Sequence, residues 1–145
     1  MAQAPLVFIT GASSGIGQSL ALRFHQAGWR LALVARRGAD IQAWVDAQGL
    51  GPDQARVYAA DVRDVHSIVD AGRACIDAQG LPDAVVANAG ISIGVDTAIF
   101  DDLEVMRSTF ETNNLGMAAT FHPFVEPMRR RGSGRLVGIA SVAGI

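Results

Sequence analysis

Hydrophobic and polar positions along the chain alternate between two patterns, short apolar runs and longer stretches with helical spacing. Five apolar runs have the length of a buried strand: Leu6–Thr10, Arg30–Ala35, Arg56–Ala60, Ala84–Asn88 and Arg135–Ala140. Between them, helical spacing predicts Gly15–Ala27, Ala39–Gln48, a helix from Asp61 or Asp64 to about Gln79, and a long helix from Asp101 or Asp102 to about Arg131. Buried strands alternating with helices are typical of a parallel sheet covered on both faces, so the pattern predicts a doubly wound α/β fold.

The long helix contains a local conflict. Its apolar positions recur at spacings of three, four and seven residues, as an amphipathic helix requires. Pro123 and Pro127 lie inside this pattern, and a proline in a helix interior removes a backbone hydrogen bond. We therefore expect a kink or a break near Phe121.

Composition and charge narrow the class of protein. At 145 residues the chain has the length of one domain. A net charge of −2 gives no support for a nucleic-acid partner. A single cysteine, Cys75, excludes an internal disulfide, fits a reducing compartment and is expected to be an inert buried thiol. With no signal peptide, no bilayer-length apolar run and no metal-site spacing among the histidines, we expect a cytoplasmic protein without membrane partner or metal.

The turn after the first strand carries the first chemical signal. Gly11, Gly15 and Gly17 follow the strand, and a helical pattern begins at once. Gly11 permits a turn too tight for a Cβ atom, Gly15 lets the backbone approach a phosphate, and Gly17 permits close packing of helix on strand. The N-terminus of the helix would supply N–H groups to a pyrophosphate. An ordinary tight turn is the alternative, but this context favours a dinucleotide-binding turn.

Together with other motifs, this turn resembles the short-chain dehydrogenase/reductase family. The motifs follow the family's order and cover the chain: TGASSGIG at 10–17, Asp61-Val62, Asn88-Ala89-Gly90, Asn113-Asn114-Leu115-Gly116, and GRLVGIASVAG at 134–144. The resemblance implies a single NAD(P)-binding Rossmann domain over residues 1–145, with strand order 3-2-1-4-5. It also implies hydride transfer between a nicotinamide and a small-molecule carbonyl or secondary alcohol.

The resemblance also implies cofactor contacts. In the family the carboxylate matching Asp61 accepts a hydrogen bond from the adenine amino group and Val62 lines the ring, although Asp61 could be a helix N-cap. Asn88 would tie neighbouring strands together, or be only a turn former, and Gly90 would leave the backbone open beside the ribose. The cofactor residues implied by these motifs are Gly11, Ser13, Ser14, Gly15, Ile16, Gly17, Asp61, Val62, Asn88, Ala89 and Gly90.

The end of the second strand bears on cofactor choice. Enzymes that prefer NAD typically place there an acid that accepts both ribose hydroxyls and repels a 2′-phosphate. Here Ala35 stands at that position, followed by Arg36 and Arg37, and Asp40 lies too far along to replace the acid. A guanidinium matches phosphate oxygens. This favours NADP (NADPH) over NAD, with Arg36 as the main contact and Arg37 as a secondary one; two solvated arginines are the alternative.

Catalysis in this family uses Asn, Ser, Tyr and Lys. The spacing to Gly116 selects Asn113, whose implied role is to hold a water in a proton relay, and Ser141 would hydrogen-bond the substrate oxygen. The family's Tyr-x-x-x-Lys would lie past Ile145, and Tyr58 cannot replace its tyrosine. We therefore expect that the C-terminal part of the domain, with two further strands, is missing.

Two functions remain open on this basis. The first is an NADP-dependent oxidoreductase, and the alternative is a non-catalytic dinucleotide-binding or regulatory module of the same fold. Family members are usually homotetramers or homodimers, which would involve the long helix from Asp101. The segment from Ile91 to Phe100 is expected to overhang the substrate site, and its apolar content indicates a largely apolar substrate.

Overall fold

The structure is a computed structural model that describes residues 2–141. Within these residues the sheet has five parallel strands in the order β3-β2-β1-β4-β5, as predicted. The strands are β1 (Leu6–Thr10), β2 (Arg30–Ala35), β3 (Ala55–Ala59), β4 (Ala84–Ala87) and β5 (Arg135–Gly138). β1 lies at the centre, where all five of its residues are buried. Four of its five residues, Leu6 to Ile9, are apolar, as burial on both faces of the sheet requires.

Helices connect the strands and cover both faces of the sheet. They are α1 (Gly15–Gln26), α2 (Gly38–Ala47), α3 (Val65–Gln79), α4 (Asp102–Phe110) and α5 (Gly116–Arg131). The predicted ends differ from these by a few residues, as at β5, which was expected to continue to Ala140. Among residues 2–141, no helix has the length and apolar character needed to cross a bilayer.

Alternating side chains of the strands build one hydrophobic core on each face. On one face Phe8 packs edge-to-face against Phe124 of α5, with ring centroids 4.9 Å apart, and α3 completes this core. On the other face Val7 and Ile9 pack with residues of α1 and α2, among them Ala21 and Ile41. The connections after β1 and after β4 therefore lie on opposite faces.

Of the kink or break predicted near Phe121, the break is wrong. α5 continues as an α-helix through both prolines, and the interruption lies earlier, where a π-helical segment (Glu111–Leu115) joins α4 to α5. Pro123 is buried against α3, and a Cβ atom on Gly72 would clash with its ring. This packing offsets the missing backbone hydrogen bond of Pro123. A π-helical segment inside a helix is often found at a functional site.

Asp64 caps α3, which decides between the two residues that the sequence left open. Its Oδ1 accepts hydrogen bonds from the backbone N–H groups of His66 (3.0 Å) and Ser67 (3.2 Å). These bonds satisfy donors of the first turn, which have no partner within the helix. Asp61 is therefore not the N-cap, and its carboxylate makes other contacts.

Candidate cofactor site

A cleft of about 420 Å³ opens at the carboxyl ends of β1, β2 and β4. Because the connections of β1 and β4 leave on opposite faces, their ends separate, and ligands bind at such switch points in open α/β sheets. Eleven of the thirteen residues predicted to bind cofactor line the cleft: Gly11, Ser13, Ser14, Gly15, Ile16, Arg36, Asp61, Val62, Asn88, Ala89 and Gly90. The two others, Gly17 and Arg37, have different contacts.

At one end of the cleft, here called the glycine end, Thr10, Gly11, Gly15 and Asn88 line the wall and Gly17 lies directly behind it. Gly11 has φ +63°, and a Cβ atom there would lie 3.0 Å from the Asn88 Nδ2 atom. A Cβ atom on Gly17 would clash with the carbonyl oxygen of Gly11. Gly15 also has a positive φ, but a Cβ atom there would meet nothing within 4 Å. The turn therefore packs closely against the end of β4 at Gly11 and Gly17, whereas Gly15 leaves open space. This arrangement suits a pyrophosphate bound at the N-terminus of α1.

Hydrogen bonds join the ends of β1 and β4 behind this turn. The Thr10 hydroxyl oxygen accepts from the backbone N–H groups of Asn88 and Ala89, both at 3.0 Å. The Asn88 side-chain amide donates to the carbonyl oxygens of Thr10 and Gly11, both at 3.3 Å. Because Thr10 is buried, the backbone N–H groups of Asn88 and Ala89 depend on its hydroxyl oxygen for a hydrogen-bond partner. Asn88 therefore connects two strands.

The opposite end, the charged end, consists of Arg36, Asp61 and Arg63. Arg36 follows β2 directly and lines the cleft, and no acid precedes it, since Ala35 ends the strand. Arg37 forms an ion pair with Asp40 (Nε–Oδ2 3.1 Å), and its side chain is 85% exposed. The two arginines are therefore not equivalent: Arg36 lines the cleft and Arg37 is paired outside it.

Asp61 makes three hydrogen bonds with Arg63. Its Oδ1 accepts from the backbone N–H (2.9 Å) and from Nε (3.3 Å) of Arg63, and its Oδ2 accepts from Nη2 (3.0 Å). The Arg63 guanidinium lowers the pKa of Asp61 below its ordinary value, so this carboxylate remains ionised at neutral pH. The sequence interpretation missed Arg63, although its place two residues after a carboxylate in a tight loop allows this pairing.

Asn113 lies in the π-helical segment, and its side chain holds the loop that follows β4. Its Oδ1 accepts from the backbone N–H of Ile91 (2.8 Å), and its Nδ2 donates to the carbonyl oxygen of Ile91 (2.7 Å). The side-chain amide thus bonds the backbone rather than pointing freely into the cleft. Ile91 and the buried Thr112 also line the cleft, and the sequence interpretation had not selected either. Thr112 is adjacent to Asn113, so the same motif could have indicated it.

Ser141 lies beyond β5, three residues after the strand ends, and is exposed. It is not among the residues that line the cleft. The segment 142–145, which completes the Ser141 motif, lies outside the described residues. Within residues 2–141, no three His, Cys, Asp or Glu side chains form a group that could hold a metal ion.

The reactive side chains Cys75 and Tyr58 lie away from the cleft. Cys75 is fully buried, as expected, and burial raises its pKa to about 12. The Tyr58 hydroxyl donates to Oε1 of Gln79 (2.9 Å), and burial raises its pKa as well. Neither group is available for chemistry at the carboxyl edge of the sheet.

The chain is similar in sequence and in structure to proteins of one enzyme family. The family model described as short chain dehydrogenase matches residues 5–145. A Drosophila melanogaster protein named dehydrogenase/reductase SDR family protein 7-like is 36% identical over 96% of this chain and 44% of its own length. A short-chain dehydrogenase from Streptomyces avermitilis superposes with a TM-score of 0.85 at 32% identity, covering 97% of this chain and 51% of that one.

A third similar protein was solved with a bound nucleotide. The alcohol dehydrogenase from the archaeon Thermococcus sibiricus, complexed with 5-hydroxy-NADP, superposes with a TM-score of 0.81 at 28% identity. The match covers 92% of this chain and 57% of that chain. The chain spans about half the length of the curated relatives that it matches.

Proposed function

This chain belongs to the short-chain dehydrogenase/reductase family, and from that premise we propose that it binds NADP(H) for hydride transfer to or from a small carbonyl or alcohol. The observation that carries the proposal is the cleft at the β1–β4 switch point, with a glycine turn open toward it at one end and Arg36 at the other. The family uses nicotinamide cofactors, and the bound cofactor supplies the hydride donor or acceptor. The chain supplies the site that binds and orients it.

The preference for NADP rests on the charged end of the cleft. Arg36 lines the cleft at the end of β2, where an NAD-preferring site would carry an acid. A guanidinium there offers a 2′-phosphate charge-assisted hydrogen bonds. Arg37 would contribute less, because Asp40 already holds its Nε. The similar Thermococcus sibiricus enzyme, which was solved with an NADP analogue, is consistent with this choice.

Catalytic roles for Asn113 and Ser141 are part of the same proposal. Asn113 would act by position, because its amide fixes the backbone of Ile91, a residue that lines the cleft. Because both polar atoms of the Asn113 side chain bond Ile91, a water of a proton relay would hydrogen-bond the backbone of the π-helical segment instead. Ser141 would hydrogen-bond the substrate oxygen, since it follows β5 at the edge where ligands bind.

Exposed apolar side chains suggest what else the protein contacts. Ile93, Val95 and Phe100 are exposed in the loop between β4 and α4, which fits an apolar substrate. Leu103 and Phe110 are exposed on α4, a helix with no buried residue, which fits a dimer or tetramer interface. Sedimentation at micromolar concentration tests the interface: a dimer or tetramer supports it, and a monomer contradicts it. A cytoplasmic location also remains a prediction.

Turnover tests the proposed activity. We would follow NADPH oxidation at 340 nm with a panel of apolar ketones and aldehydes, using the polypeptide that the natural source produces. Oxidation that depends on the carbonyl compound supports an oxidoreductase. Tight NADPH binding without turnover of any carbonyl compound would favour the non-catalytic dinucleotide-binding or regulatory module. Absence of nucleotide binding would contradict both functions.

A further inference from the structure

The charged end of the cleft holds a second guanidinium, that of Arg63, which lies against a carboxylate. Arg63 uses its backbone N–H, its Nε and its Nη2 to bind both oxygens of Asp61. Both residues line the cleft beside Arg36. Two parallel bonds between a guanidinium and a carboxylate fix the relative orientation of the groups. The pair is thus a built feature of the cleft wall, although each member is partly exposed to solvent.

Asp61 poses an electrostatic problem for a ligand that carries a ribose 2′-phosphate. An ionised carboxylate in the same cleft repels the phosphate and weakens the attraction of Arg36. The Asp61 carboxylate also interacts with the positive charge of Arg36, so the two groups share one region. Among residues 2–141, the charged side chains that line the cleft are Arg36, Asp61 and Arg63, and together they carry one net positive charge. Without Arg63, that sum would be zero.

We infer that Arg63 is a cofactor-selecting residue that acts by neutralising Asp61, so that the charge of Arg36 remains available to a 2′-phosphate. This inference rests on the proposed NADP(H) site and adds a residue to it. We assign Arg63 a role through Asp61 rather than a direct phosphate contact, because its Nε and Nη2 are already directed at the Asp61 carboxylate. Glu111, at the start of the π-helical segment, also acts electrostatically on Arg63, so two acids attract its charge.

The inference predicts that removing either partner shifts cofactor preference, and that the two shifts have opposite signs. Without the Arg63 charge, the Asp61 carboxylate is unopposed and NADPH binding weakens. Without the Asp61 charge, Arg63 loses the acid that it hydrogen-bonds, more of its positive charge acts on the cleft, and NADPH binding strengthens. Direct contact of Arg63 with the phosphate predicts something else, namely a loss that persists when Asp61 is also neutral.

The test compares four proteins: the unchanged chain, Arg63→Gln, Asp61→Asn, and the double variant. Fluorescence titration with NADPH and with NADH gives the ratio of the two dissociation constants, Kd for NADH over Kd for NADPH. Because both nucleotides share the adenine, any lost adenine contact cancels in the ratio. For a unit charge several ångströms from the phosphate in a solvated cleft, we expect the ratio to fall about threefold in Arg63→Gln and to rise about threefold in Asp61→Asn. In the double variant it should return to about its starting value.

Arg73→Gln is the matched control. It removes a side chain of the same charge, somewhat more exposed than Arg63, that is paired with Asp70 on α3 outside the cleft, so the ratio should not change. The shifts at Arg63 and Asp61 should also shrink at high salt. An unchanged ratio in both single variants, or a loss at Arg63→Gln that the double variant keeps, would overturn the inference alone. An unchanged chain that binds neither nucleotide would instead overturn the proposed function.

Discussion

The glycine end of the cleft is made of backbone and small side chains, whereas the charged end is made of long, partly exposed ones. At the glycine end, Gly17 has no room for a Cβ atom, and Thr10 is buried. At the charged end, Asp61 and Arg63 are partly solvated, and Arg36 follows the last residue of β2. The first region depends on close contact and the second on charge.

This difference separates two kinds of change. A substitution at the glycine end disturbs packing and backbone hydrogen bonds, so it should lower the stability of the whole sheet. A substitution at the charged end changes a solvated electrostatic field, so it should alter which nucleotide binds and leave the fold intact. The glycine end should therefore determine whether a dinucleotide binds, and the charged end should determine which one.

Gly17→Ala should have the largest effect. Its Cβ atom would clash with the carbonyl oxygen of Gly11 and lie 2.7 Å from the Asn88 Nδ2 atom, so the backbone must move. Overpacking of this kind costs about 3 kcal/mol in the free energy of unfolding. Urea unfolding followed by circular dichroism measures this loss. Gly51→Ala is the control, because a Cβ atom there meets nothing within 4 Å and the stability should remain within about 1 kcal/mol. Equal losses would contradict the packing role of Gly17.

Arg36→Asp should change cofactor preference without changing the fold. The substitution removes the phosphate-binding charge and places an acid where NAD-preferring sites have one. We expect the ratio of Kd values, NADH over NADPH, to fall about 30-fold, which corresponds to about 2 kcal/mol. The urea midpoint should be unchanged. Arg37→Asp should move the ratio much less, since Arg37 is paired with Asp40 outside the cleft. If Arg37→Asp changed the ratio more than Arg36→Asp, Arg37 and not Arg36 would be the main phosphate contact.

Thr10→Val tests the hydrogen bonds of the glycine end. Valine keeps the shape but removes the hydroxyl that accepts from the backbone N–H groups of Asn88 and Ala89. Leaving these donors without their partner should cost about 2 kcal/mol in the free energy of unfolding. Thr120→Val is the control: this equally buried hydroxyl donates within its own helix to Gly116, and its loss should cost less than about 1 kcal/mol.

Asp61→Asn should have the smallest effect on stability, and that effect should depend on pH. The pKa of Asp61 is lowered from 3.8 in the folded chain, so the carboxylate stabilises the fold above pH 4, and this contribution disappears as the pH falls through the lowered pKa. Because the pair is partly exposed, we expect a difference below about 1 kcal/mol at pH 7 that shrinks as the pH falls through the lowered pKa. Thermal unfolding from pH 2 to pH 7 measures it, with Asp70→Asn as the exposed control. If the stability difference between the unchanged chain and Asp61→Asn grew toward low pH, the predicted direction of the pH dependence would be wrong.

Apolar runs and helical spacing predicted the strands and most of the helices, because these are local signals, whereas the strand order came from the family resemblance. Prediction from local signals failed where a contact between distant residues decides the structure. Pro123 is accommodated in α5 by its packing against Gly72 of α3, and no local pattern reveals this. The π-helical segment was likewise not indicated by helical spacing, since an extra residue in one turn leaves the apolar pattern on both sides readable.

The same limit applies to the site. The glycine turn and Asn88 were recognisable because their roles depend on residue type and spacing. The separation of Arg36 from Arg37 depends on the ion pair with Asp40, which only the structure provides. The partner of Asn113 is Ile91, which lies 22 residues away, so the sequence could select the residue but not its contact.

We propose that the glycine end binds a dinucleotide and that the charged end selects NADP. Titration of the unchanged chain with NADPH and with NADH, in one buffer of about 50 mM salt where exposed charges are weakly screened, tests both parts at once. We expect saturable binding of both nucleotides, with NADPH at least about tenfold tighter, and a difference in affinity that narrows as salt is added. Equal dissociation constants, or tighter binding of NADH, would contradict this proposal.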